Sequence, residues 1–466
     1  MDISRRGVLA GTGASMVGLA LPRASFALAA DGFLEITAEP SEQKLYKDDA
    51  PASLLWTYNC TAPGPEIRAK RGERIKVRLI NKLEEPTSIH WHGIRIDNTM
   101  DGVSGLTQKA VPPGEIFEYD FVAPDAGTYW YHAHNKSWNQ VVRGLYGPLI
   151  IEEDDPAFDM DHDLTLIMDD WRLDDQGILD LESLGSLMDW SHAGRLGNWL
   201  TVNGGSLPEY TLVAGEAHRI RLVNASNARI LQLDLASLGA KVLAYDGQAF
   251  EVPKEAPSGG FLIGPGQRVD LLLVPEPGAR MALREVSGGD PFDFALLKVT
   301  AGTNRQAPVP SLPVNALPEP DLDAATTLTL DMTGGAMGQM GALSYKGQPL
   351  TREIMRETGQ LWGLNGVAGL PETPFFKVRK GETILLQVVN NTAFAHAMHT
   401  HGHHFRIVAQ TLALVDDTGT WRDTFLIGPG ETTTIAFVAD NPGKWLLHCH
   451  MLEHAAAGMT TWFEVV

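Results

Sequence analysis

Gly72-Glu-Arg-Ile-Lys-Val-Arg-Leu-Ile-Asn81 is a turn glycine followed by a strand of alternating apolar and charged residues, and the chain carries it in three versions. The other two are Gly215-Glu-Ala-His-Arg-Ile-Arg-Leu-Val-Asn224 and Gly381-Glu-Thr-Ile-Leu-Leu-Gln-Val-Val-Asn390. β-Branched residues at period two mark a half-buried strand. A shorter element precedes each copy: Trp56-Thr-Tyr-Asn-Cys60, Trp199-Leu-Thr-Val-Asn-Gly204 and Trp362-Gly-Leu-Asn-Gly366. A tight turn follows each, Pro112-Pro-Gly-Glu115, Gly264-Pro-Gly-Gln267 and Gly428-Pro-Gly-Glu431, and leads into another alternating strand. Three elements recurring in one order define a repeated structural unit. Units of roughly 120–155 residues, made of short strands and Gly/Pro turns, predict an all-β chain of three tandem β-sandwiches. Boundaries are expected near residues 152–163 and in the Pro-rich stretch 307–320, giving units over 31–155, 156–312 and 313–466.

The length of 466 residues agrees with about three domains. Apolar residues make up 44% and charged residues 20%, the balance of a soluble globular protein. Asp and Glu outnumber Lys and Arg by 57 to 37, a formal charge of −20, which argues against a nucleic-acid surface. Ser4-Arg-Arg-Gly-Val-Leu9 sets paired arginines before a weakly apolar run reaching Leu21, and Ala27-Leu-Ala29 fits a small-residue cleavage site. Residues 1–30 are therefore read as a twin-arginine export signal, and the mature chain as periplasmic or secreted. The run is too short and Gly-rich to span a bilayer, so no membrane anchor is expected. The mature protein is expected to be a monomer.

The chain has 15 histidines, and most gather in four clusters: His90-Trp-His92, His132-Ala-His134, the run from His396 to His404, and His448-Cys-His450 with His454. Residues i and i+2 of a strand share a face, so each His-x-His presents two imidazoles together. The middle unit has only the isolated His162, His192 and His218, read as structural or surface residues. Metal chemistry is thus expected in the first and third units, with the second aligning them.

His448-Cys449-His450 is the most informative triplet. Its imidazoles face one way and its thiol the other, so sulfur can bond one metal centre while imidazoles bond a second. His454 lies five residues beyond Cys449, and Met459 ten. Two imidazoles, a thiolate and a weak axial Met form the ligand set of a blue-copper electron-transfer site, with His396 as the natural second imidazole. Zinc competes for any His/Cys group but needs about four ligands. Twelve His side chains and Cys449 stand in these clusters, with Met459 just beyond the last. One soft-sulfur site beside ten remaining imidazoles points to copper.

With His90-Trp-His-Gly93, Tyr131-His-Ala-His134, His396-Ala-Met-His-Thr-His-Gly-His403 and His448-Cys-His-Met-Leu-Glu-His454 before Gly458-Met459, the chain resembles the multicopper oxidases, from about Phe33 to Val466. The resemblance implies three cupredoxin-like Greek-key domains and four copper ions. It implies a type 1 copper on His396, Cys449 and His454 with Met459 axial. It further implies a type 2 copper on His90 and His399, and a binuclear type 3 pair on His92, His132, His134, His401, His448 and His450. His403 is left as a second-shell or packing residue and His404 as a surface or core residue. The implied reaction takes electrons one at a time at the type 1 copper, near the surface beside His454 or His396. They pass through Cys449 and its flanking histidines, and O₂ is reduced to water by four of them.

Two departures stand out. Ala397 occupies a position where many members have Pro, and Ala455 one where some bacterial members carry an acid. Asp101 matches another acidic position assigned to proton delivery in relatives, so Asp101 and Cys449 are the residues assigned to catalysis. A turn aspartate before Gly102 is the competing reading of Asp101. Met332, Met337 and Met340 in a Gly-rich stretch read either as a modest Cu(I) site or as packing. Cys60 stands where the other units carry Gly204 and Gly366, so it reads as a small residue near a turn, against a free thiol or metal ligand. The expected activity is a laccase-like oxidation of phenols or aromatic amines, and of Cu(I) or other metal ions, by O₂. A periplasmic cuprous oxidase or a copper-sequestering protein is the alternative.

Overall fold

A computed structural model describes residues 31–47, 49–302, 310–337 and 343–466. The export-signal reading of residues 1–30 lies outside them, as does Met340. The described chain is built of strands with a few short helices, and each repeat unit forms two facing sheets. In the first unit the repeat strand Arg74–Asn81 buries Ile75, Val77 and Leu79 while its charged residues stay more accessible. Each such side chain stabilises the fold by about 1.5–3 kcal/mol, and this fixes the register.

The three-element repeat maps onto one sheet order. In the first unit the strands run Ser53–Tyr58, Leu34–Gln43, Arg74–Asn81, Ile116–Val122. The second begins Trp199–Val202, Asp163–Trp171, His218–Asn224, Arg268–Leu273, and the third Trp362–Leu364, Thr326–Gly334, Thr383–Asn390, Thr432–Val438. Each time the repeat strand lies parallel to the unit's first strand and antiparallel to the strand after the Pro-Gly turn.

The Trp-led element ends in a left-handed turn. Asn59 and Cys60 have φ of 53° and 60°, matching Asn203 and Gly204 at 50° and 76° and Asn365 and Gly366 at 49° and 77°. Asn-Gly is the pair this turn favours, so Cys60 holds a glycine conformation. It is exposed, and its thiol donates to Glu39 Oε1 at 3.2 Å.

The middle unit keeps its own apolar core, from Leu166 to Leu297. The first and third units instead share one cluster, which runs from Ile36 through Trp91 and Tyr131 to Met398, Trp445 and Phe463. Among the described residues no helix is long and apolar enough to cross a membrane.

Candidate metal centre

Four strands set the candidate ligands. Ile89–His92 pairs antiparallel with Gly127–Ala133 so that His90 faces His132 across the ladder. His396–Thr400 pairs with Gly443–Cys449, placing His399 opposite His448 and Met398 opposite Cys449. The period of two then sends Cys449 into the third unit's apolar core beside Met398 and Met459. His448 and His450 go to the other side, against the first unit's imidazoles.

There the histidines converge. His134, His401 and His448 bring nitrogen atoms within 4.8 Å of one another, as do His90, His92 and His132, and His90, His399 and His401. His450 lies with its ring centre 4.9 Å from His92 and 5.3 Å from His132. His401 and His448 face each other through Nε2 at 3.1 Å.

The nitrogens on the outer sides are tied. His90 Nδ1 donates to the Asp101 carbonyl at 2.8 Å, His132 Nδ1 to the Ala133 carbonyl at 3.1 Å, and His399 Nδ1 to the Asp423 carbonyl at 2.9 Å. His448 Nδ1 donates to the Cys449 carbonyl at 2.8 Å. The opposite nitrogens of His90, His132 and His399, together with His92 Nδ1 and both nitrogens of His450, are buried without a hydrogen-bond partner. Buried polar atoms are seldom left so. One nitrogen fixed by an acceptor and the other bare is how a metal-ligating imidazole is held. Burial first, then neighbouring imidazoles, hold His92, His132, His134, His401 and His450 well below the ordinary range. His448 is pushed down to about 3. These rings are neutral and free to bind, and the donor set fits copper ions.

Two carboxylates support them. Asp101 is fully buried, with its carboxylate 3.1 Å from His401 Nδ1 and 3.2 Å from His90 Nδ1. It also ends a short 3-10 turn before Gly102, as the turn reading expects. Gly102 is required there, because a Cβ would sit 1.8 Å from the Ile89 carbonyl oxygen. Sequence reasoning missed the second carboxylate, Asp423, whose Oδ1 lies 3.3 Å from His92 Nε2 and 3.6 Å from His399 Nδ1. Burial alone would raise its pKa, but the Arg268 guanidinium and imidazole donors hold it well below the usual carboxylate range. The available signal was an acid two residues before the apolar run Phe425-Leu-Ile427.

The second cluster is smaller. Cys449 Sγ lies 3.6 Å from His396 Nδ1 and 3.8 Å from His454 Nδ1, and the two nitrogens are 3.0 Å apart. Met459 is buried, and its carbonyl accepts from the Cys449 backbone N–H at 3.1 Å. His396 Nε2 is held by Thr392 Oγ1 at 2.8 Å. Burial pushes the Cys449 thiol up to about 12 and His454 down to about 4.

Three expectations change. Neither His396 nor His454 reaches the surface, since both are fully buried. A segment of the middle unit covers them: His454 Nε2 donates to the His192 carbonyl at 2.6 Å. That unit therefore does more than align its neighbours, and His192 takes the structural one of its two readings through its backbone carbonyl. Met332 is packed in the core while Met337 is 80% exposed, so these two do not share one site. His403 packs among Phe437, Trp445 and Phe463, and His404 is buried with Nε2 3.1 Å from Gln248 Nε2.

Sequence models of a family described as multicopper oxidase match residues 40–156 and 343–466. A solved multi-copper oxidase from Pseudomonas thermotolerans superposes with a TM-score of 0.81 at 33% identity, covering 93% of this chain and 98% of that one. Laccase-1 of Botryotinia fuckeliana is 30% identical over 87% of this chain and 77% of its own length. The iron transport multicopper oxidase fetC of Epichloe festucae is 28% identical over 86% of this chain and 71% of its own.

Proposed function

This chain belongs to the multicopper oxidase family, the copper-dependent oxidoreductases that use O₂, and from that premise we propose a laccase-like enzyme with four coppers. Phenols or aromatic amines are its one-electron donors. His396, Cys449 and His454, together with Met459, would hold the type 1 copper. His90 and His399 hold the type 2 copper. The type 3 pair divides between His134, His401 and His448 on one side and His92, His132 and His450 on the other. The units are those over residues 31–155, 156–312 and 313–466, and the protein acts as an exported monomer.

The observation that carries this reading is the His448-Cys449-His450 strand end. Its sulfur faces one buried imidazole pair at 3.6 and 3.8 Å, while its flanking rings line the histidine cluster behind. A few covalent bonds thus connect an electron-accepting centre to an oxygen-reducing one. The bound coppers supply electron storage and O₂ reduction; the protein fixes their spacing, excludes water and keeps the imidazoles neutral. Asp101, against His401 and His90, is positioned to pass protons to that cluster.

O₂ consumption by the copper-loaded chain with a dimethoxyphenol tests the proposal. Turnover lost in Cys449→Ser is the expected result, and a fully loaded chain without turnover would mark a copper-sequestering protein instead. Oxidation of metal ions remains the second reading, on the likeness to the iron transport oxidase. Turnover of Fe(II) or Cu(I) faster than of the phenol would favour it.

A further inference from the structure

We propose that the reducing substrate, a neutral aromatic donor, docks on the outer face of the middle unit's helix Leu187–Ser191. Its electron then enters through the backbone carbonyl of His192. This deepens the reading above and rests on its assignment of His396, Cys449 and His454 to the type 1 copper.

An electron must reach a centre whose two imidazoles are both fully buried. The outward nitrogen of His396 ends on Thr392, inside the third unit. The outward nitrogen of His454 ends on the His192 carbonyl, in the segment that forms the outer cover. That hydrogen bond is the short polar connection from the sulfur site toward solvent. Aromatic rings flank it: Trp362 lies 4.5 Å from the His454 ring and Phe394 5.7 Å from the His192 ring.

The cover is fixed in place. Glu453, the neighbour of His454, accepts from the Arg195 backbone N–H at 3.1 Å and from Asn227 Nδ2 at 2.7 Å. Trp362 Nε1 donates to the Trp190 carbonyl at 2.6 Å, and Ala336 N–H to the Ser191 carbonyl at 2.7 Å. Arg172 grips Asp189 at 2.8 Å through both guanidinium nitrogens. A donor therefore meets a standing surface.

The chemistry of that surface selects the donor. Between residues 183 and 197 the only carboxylate and the only arginine, Asp189 and Arg195, are buried. Leu187 and Met188 are 51% and 64% exposed on the helix, and Met337 follows Ala336, which is bonded to it. Aliphatic and thioether side chains without a charge favour an apolar ring over a hydrated ion. At this surface the phenol O–H bond breaks, its proton goes to solvent, and one electron passes inward, leaving an aryloxyl radical. Four such donors, with four protons, balance the reduction of one O₂ to two waters.

The test places a charge at position 188. In the copper-loaded Met188→Lys protein, anaerobic bleaching of the blue absorption is timed with hexacyanoferrate(II) and with a cationic ferrocene. The anion-to-cation rate ratio should rise about three-fold or more at low ionic strength and return in high salt. The control Ile116→Lys, on the first unit's outer sheet, should leave the ratio unchanged. Saturation-transfer NMR of non-oxidisable 1,3-dimethoxybenzene on the reduced, diamagnetic holoenzyme gives a reading independent of turnover. It should weaken in Met188→Lys and in Leu187→Ser. Equal behaviour of the position 188 and 116 variants in both measurements would overturn the docking surface alone. An unaltered protein with no bleachable blue absorption would overturn the copper assignment, and this proposal with it.

Discussion

Arg268 of the middle unit closes a two-point contact on Asp423 of the third, with Nη1 to Oδ1 at 2.8 Å and Nη2 to Oδ2 at 2.6 Å. Both side chains are buried, and the same carboxylate faces His92 from the first unit and His399 from the third. One ion pair thus joins all three units behind the histidine cluster. Arg268→Gln leaves a buried carboxylate unpaired, at a cost of about 3–5 kcal/mol. Chemical unfolding should show that loss, and metal analysis a reduced copper content with the blue absorption retained. Full stability and full copper content would contradict it.

Gly93, the last residue of the first His-rich motif, permits that ion pair. A Cβ there would stand 2.3 Å from Arg268 Nη2 and 2.6 Å from Asp423 Oδ2, at a φ of +88°. Gly93→Ala should therefore repeat the copper loss of Arg268→Gln while preserving every charge. Metal analysis of the purified variant decides it.

Asp101→Asn keeps the shape of the group against His401 and His90 and removes its proton-accepting charge. Turnover should fall by roughly ten-fold or more, with an altered pH–rate profile at unchanged copper content. Full turnover with an unchanged profile would return Asp101 to a turn residue.

Asp169 carries a pH dependence of stability. Burial, then the charge of Asp170, raises its carboxyl well above the usual range, and Tyr146 Oη donates to it at 2.7 Å. The folded state holds this proton after the unfolded chain, with a pKa of about 3.9, has released it. Stability contributed by the group therefore falls as pH rises from about 4 through the folded value. Asp169→Asn should flatten that slope, matching the unaltered protein near pH 4 and exceeding it at neutral pH in thermal unfolding.

Cys60→Gly should raise stability by about 0.5–1 kcal/mol, because glycine adopts the left-handed turn without the steric cost a Cβ brings. Only the weak thiol contact to Glu39 is lost. A lower unfolding midpoint would show that contact to matter more than the turn.

The legible parts of this protein are those written locally. Alternation in residues 74–81 announced a strand, and the sheets used it in the same order three times. His90-Trp-His92 and His448-Cys-His450 stood out as candidate ligands because a strand's period puts neighbours two apart on one face. Arg268 and Asp423 stand 155 residues apart, and His192 and His454 262 apart. Nothing in the short-range pattern links such pairs, since only the packing of whole units brings them together. The isolated His192 gave no signal at all, because its backbone carbonyl, not its ring, makes the contact.

The apolar cluster shared by the first and third units also bears on how the chain is made. Residues 34–152 emerge before the third unit, yet their apolar interior is part of one continuous cluster that extends to side chains as late as Phe463 and Val465. A nascent chain carrying only the first two units would hold an unfinished apolar surface through all of the intervening synthesis. Such long-range closure folds slowly and leaves intermediates prone to aggregate. Truncation by even the final strand, Thr460–Val465, should therefore disturb the amino-terminal unit as well as the carboxy-terminal one.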